Sequence, residues 1–127
     1  MKDLCRPSHK IVIWAEESAA LASAQPEWSY GNGATGNIGI PLPEEWEAYA
    51  VSFNAEVFGA TDSVTIAVRD TNLLTNLLEF TATSGSYTEI LATPVTIPAG
   101  TELGFFTVTE AGAVTDARAA VWLRQYD

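Results

Sequence analysis

Cys5 is the only cysteine in a chain of 127 residues, so no disulfide can close within it. Stability must come from packing, alone or joined to oligomerisation. Histidine is as scarce, with His9 alone. Charged residues make up 17% of the chain, below the ~25% usual for soluble domains. Positive charge is scarcest: six Lys and Arg stand against sixteen acids, for a net charge of −10. Lys2, Arg6 and Lys10 against Asp3 make the first ten residues +2, so the body carries −12. Such a body repels phosphate backbones and excludes nucleic acid as its partner. No stretch approaches the ~20 apolar residues of a membrane-spanning helix, and no apolar run precedes Pro7. Neither a membrane span nor a signal peptide is expected. Opening on Met1, the chain reads as a complete small gene product made in a cytoplasm. Heptads, internal repeats and low-complexity tracts are also missing.

What the chain does have is apolar content with a period of two. Hydrophobic residues are 47% of it, enough for a core. In residues 46–58, Tyr49, Val51, Phe53, Ala55 and Val57 alternate with Ala48, Ala50, Ser52, Asn54 and Glu56. That alternation predicts a half-buried strand with the first set inward. Residues 63–70 alternate likewise and complete a hairpin. Residues 77–83 and 87–92 predict a second hairpin around Ser84-Gly85-Ser86. Short strands follow at 95–97, 103–109 and 117–126, parted by Pro98-Ala99-Gly100 and Ala111-Gly112-Ala113. A first strand is expected at Ile11–Ala15. Residues 16–24 read as a loop or a helical turn ended by Pro26. Asn37–Leu42 reads as a bulged or edge strand, because Pro41 cannot donate to a ladder. About eight strands at this spacing predict an all-β fold: an antiparallel, jelly-roll-like β-sandwich. Residues 1–10 form an extended N-terminal arm and residues 11–127 one sandwich domain.

Catalytic chemistry has little to stand on. His9 lies in the arm, a poor place for a base that must be held rigidly. Cys5 has Lys2, Arg6 and His9 nearby, which lowers a thiol pKa, but an incidental thiol is the simpler reading. Glu44, Glu45 and Glu47 cluster before a strand, and Glu16 with Glu17 follow another. A glycosidase needs a carboxylate pair, yet all five read as solvated residues at strand ends. The acidic loops offer oxygen for calcium but no Asp-x-Asp-x-Asp-Gly loop. Gly31, Gly33 and Gly36 match a dinucleotide spacing without the strand and helix it requires. No enzyme activity, catalytic residue, metal or cofactor is expected.

The aromatic load is more informative. Four tryptophans, Trp14, Trp28, Trp46 and Trp122, are many for this length. Trp28 and Tyr30 flank the glycine-rich loop beside Asn32. Exposed, they would form a platform for a sugar or a neighbouring subunit. The plainer alternative is that the tryptophans cap the open ends of the sandwich.

The stretches EWSYGNGATGNIGIPLPEEWEAYAVSFNAE, TDSVTIAVRD and VTIPAGTELGFFTV resemble small surface proteins of tailed-bacteriophage virions. Those include capsid decoration (cement) proteins and jelly-roll tips of head or tail fibres. The resemblance covers residues ~26–110 and rests on strand grammar and the IPAGTELGF turn. It implies a structural protein on the virion surface: a homotrimer of jelly rolls, similar to the tumour-necrosis-factor-like arrangement. Its partner would be the major capsid protein or another virion protein. The docking element would be the arm, through Lys2, Arg6 and Lys10 with Ile11 and Ile13 behind them. The alternative is a fibre tip or carbohydrate-binding module meeting a host-surface glycan through Trp28, Tyr30 and Asn32.

Overall fold

Eight strands and no helix make up the described part of the chain. The structure is a computed structural model. It describes residues 7–24, 28 and 39–126, with side chains from residue 9 onward. The strands are β1 (Pro7–Ala20), β2 (Ile40–Pro41), β3 (Trp46–Val57), β4 (Ser63–Asp70), β5 (Thr75–Ala82), β6 (Ser86–Ile97), β7 (Glu102–Ala111) and β8 (Thr115–Tyr126). One sheet has the order β1-β8-β3-β6 and the other β2-β7-β4-β5, with every neighbouring pair antiparallel. The topology is that of a long hairpin with β4 and β5 at its tip, rolled up so that β1 lies on β8 and β2 on β7. This is the jelly-roll-like sandwich expected from the strand spacing.

The two sheets close on one apolar interior. Val51, Phe53, Ile66, Val68, Phe80, Ile97, Leu103, Phe105, Val121 and Leu123 fill it, each almost wholly buried. Two-sided alternation places them there: Val121 and Leu123 point in from β8 while Ala120 and Trp122 stand on its other side.

Several elements differ from the sequence reading, each for a physical reason. β1 takes in residues 7–10 of the expected arm and residues 16–20 of the expected loop or helical turn. β8 is twelve residues long and offers a partner along most of this length, from Pro7↔Tyr126 to Ala20↔Thr115. Backbone pairing outweighs the weak helix preference of a short alanine-rich run. β6 is one strand where two were expected, with the ladder to β3 stepping from Ile90 to Val95. Residues 91–94, including Pro94, form the irregularity, which an edge strand tolerates. β2 is only Ile40–Pro41, and residues 37 and 38 lie outside those described.

Tyr49 is the sharpest correction. In β3, Ala48 pairs with Leu123 and Ala50 with Trp122, so Tyr49 is an extra residue in the ladder. This bulge shifts the alternation by one. Trp46 and Ala48 face the core on one side of it, Val51, Phe53 and Ala55 on the other. The expected inward Tyr49 instead lies beside Lys10 and Arg124. Val57, also expected inward, is exposed at the strand end.

Candidate functional site

The outer face of the β1-β8-β3-β6 sheet is organised in rows that follow from the register. Val12, Trp122, Ala50 and Ile90 form one row, and Trp14, Ala120, Ser52 and Thr88 the next. Glu16, Arg118, Asn54 and Ser86 make a third. On the far side of the apolar row lie Lys10, Arg124, Glu47 and Thr96. The face therefore has an apolar centre bordered by polar and charged rows.

Trp14 and Trp122 stand on neighbouring strands, two residue pairs apart in the ladder and so in adjacent rows of one face. Each keeps more than a third of its surface open, 39% and 38%. Ala120 lies beside both and Ser52 next to it on β3, so the sheet is hollowed there into a groove of about 390 Å³. Its polar lining is Ser52, Asn54, Ser86, Thr88 and Arg118. The indole Nε1 of Trp122 donates to Ser52 Oγ at 3.5 Å, a long bond. The guanidinium of Arg118 lies 5.1 Å from the centre of the Trp14 ring and reaches Glu16 at 3.4 Å. That exposed ion pair adds little stability, but it holds the guanidinium plane beside the indole.

A second groove, of about 480 Å³, opens at the end of the sheet beyond Lys10 and Arg124, between His9, Trp46, Thr96, Gln125 and Tyr126. Its border is built around Arg124, which donates to Glu47 at 2.8 Å and lies near the Tyr49 and Tyr126 rings. The bulge at Tyr49 is what brings the first of those rings to it.

The expected site residues fare differently. Trp28 has no exposed surface: it packs on Phe105 at 6.2 Å, and its Nε1 donates to Thr107 Oγ1 at 3.0 Å within the core. It cannot be part of a surface platform. Tyr30 and Asn32, expected beside it, lie outside the described residues, as do Lys2 and Arg6. Ile13 is buried inside the sandwich and is not available for docking, whereas Lys10 and Ile11 are exposed on β1. The five carboxylates weighed as a catalytic pair are not assembled into one. Glu44 and Glu45 are exposed, Glu47 and Glu16 are bound to arginines, and Glu17 accepts from the amide of Ala19 at 3.0 Å. Among the described residues no three His, Cys, Asp or Glu gather as metal ligands.

Sequence reasoning missed Trp14 and Trp122 as site residues. The signal was present: each is out of phase with its strand's buried residues, Ile13 and Ala15 in β1, Val121 and Leu123 in β8. Phase alone does not show that these two strands are neighbours.

Comparison with known proteins adds likeness at the level of fold. No family model matches the chain, and no curated protein matches it. Among solved structures it is similar to the C-terminal CBM6 of LamC, a marine laminarinase from Zobellia galactanivorans. The TM-score is 0.43 and the identity 14%, over 87% of this chain and 98% of that one. A weaker likeness is to the CBM22-1 and GH10 modules of the endo-1,4-β-D-xylanase 10B of Clostridium thermocellum, complexed with xylohexaose. There the TM-score is 0.24 and the identity 11%, over 88% of this chain and 26% of that one. At these values neither likeness says what this chain binds.

Proposed function

We propose that this chain is a carbohydrate-binding module that grips a glycan in the groove between Trp14 and Trp122. The observation that carries this reading is the pair of half-open indoles over a floor of Ala120 and Ser52. A pyranose ring presents an apolar C–H face and a rim of hydroxyls. It needs flat aromatic surface beneath it and fixed hydrogen-bonding groups around it. Trp14 and Trp122 supply the surface, while Asn54, Arg118, Ser52 and Thr88 supply donors and acceptors at the rim. The groove is shallow and open, which suits a chain laid across the sheet. The body's acidity is no obstacle to a neutral polymer, unlike a phosphate backbone.

The reading needs no catalytic residue, and Glu16 and Glu47 on this face are engaged by arginines. Its test is calorimetric titration against a panel of soluble oligosaccharides. The unaltered chain should bind at least one glycan class. Trp14→Ala and Trp122→Ala should each weaken that binding at least tenfold, about 1.4 kcal/mol. Leu73→Ser, at an exposed leucine on the β4–β5 turn, should leave it unchanged. Binding that survives loss of both indoles would move the site elsewhere, and no binding across the panel would end the reading.

A further inference from the structure

A sheet edge left open is a template for another strand, and proteins usually blunt it with prolines, bulges or short strands. Three of the four edges here are treated that way. β6 is broken at residues 91–94 and carries Pro94. β2 is two residues long and contains Pro41. β5 is interrupted where its partners step from Val68↔Leu78 to Arg69↔Asn76.

β1 is different. Its ladder with β8 runs without a break from His9 to Glu17, and this stretch holds no proline or glycine. Among the described residues no strand pairs with its other edge. Ile11, Val12 and Trp14 keep 36%, 39% and 39% of their surface open along it. We propose that this edge binds a second copy of itself, antiparallel across a twofold axis at Ile13, joining two four-stranded sheets into one of eight.

The sequence of the strand selects that partner and that register. Lys10 and Glu16 lie three residues either side of Ile13. A twofold axis there sets Lys10 opposite Glu16 of the copy, and Glu16 opposite the copy's Lys10. Both residues are on the outer face of the sheet, as are Val12 and Trp14, which also meet across the axis. On the inner face Ile11 meets Ala15, and Ile13 meets itself. Parallel in-register pairing would set lysine against lysine and glutamate against glutamate, which is destabilising. A slip by one residue would set outward side chains against inward ones. A homotrimer, expected from the phage resemblance, does not follow from this edge, because two antiparallel copies close it completely.

Charge exchange tests the contact, read by sedimentation equilibrium over a range of concentrations. The unaltered chain should reach twice the 13.6 kDa mass of one copy. Lys10→Glu and Glu16→Lys should each weaken self-association about tenfold or more, since each turns two symmetry-related attractions into repulsions. Combining them should restore it. Six residues of strand separate the two positions by roughly 20 Å, so they cannot compensate within one copy. A monomer at every concentration, a trimer, or a double variant no tighter than the single ones would each overturn the proposal. Circular dichroism of each variant shows that the comparison is between folded chains.

Discussion

Trp28 shows how one side chain decides between two expected roles, surface platform or sandwich cap. Beside glycines it reads as a loop platform, yet its ring is sealed against Phe105 and its N–H is spent on Thr107. An indole is large enough to fill a sandwich end and polar at one point, so it needs the one hydroxyl the core supplies. Trp28→Ala should cost about 3–5 kcal/mol through the cavity left behind. Trp28→Phe keeps much of the volume but orphans the Thr107 hydroxyl, at about 1–3 kcal/mol. Urea denaturation of both variants checks the order. A different single-residue effect lies at Glu56, where hydrogen bonding to Asp116, then its charge, raises the carboxyl above the ordinary 4.5. The folded form thus holds its proton to higher pH than the unfolded one. The contribution to stability is full below the ordinary value and is lost as pH rises through the raised one. NMR titration should find Glu56 high, and Asp116→Asn should bring it down.

Between elements, the joint of the β3–β4 and β7–β8 loops depends on one acid and one glycine. Asp62 accepts from the Gly59 amide at 2.7 Å and from the Ala113 amide at 3.3 Å. Gly112 adopts φ +113°, and any Cβ there would run into the Asp62 carboxylate. Gly112→Ala should therefore destabilise the fold by at least about 2 kcal/mol, combining backbone strain with overlap. Added to Asp62→Ala it should cost less than the two separate losses summed, because the second change removes the overlap. Denaturant midpoints of the three variants measure this coupling. Nothing in the sequence announces the joint, since the partners are fifty residues apart. What was legible was local: alternation gave β3, β4 and β8 nearly to the residue, and turn chemistry at Pro98-Ala99-Gly100 separated β6 from β7. What was illegible depended on neighbours. β1 is long because β8 lies beside it, Tyr49 points outward because a bulge intervenes, and Trp14 and Trp122 form one groove only because the roll places β1 on β8.

At the scale of the molecule, the groove and the open edge share a strand. Trp14 lines the groove and also stands on the edge of β1, so twofold pairing through Ile13 would lay two grooves side by side on one continuous face. Two sites held rigidly together gain little on a ligand that can occupy only one. On a surface carrying many copies of the ligand, the second contact becomes intramolecular and apparent affinity rises by orders of magnitude. The Lys10→Glu variant separates these regimes. In solution with a short oligosaccharide it should bind within about twofold of the unaltered chain, because the indoles and their polar rim are intact. On an immobilised or insoluble glycan it should dissociate at least about tenfold faster. Surface plasmon resonance on a densely loaded glycan chip, run beside titration in solution, reads both quantities. Equal dissociation of both proteins from the dense surface would mean that the two grooves do not act together.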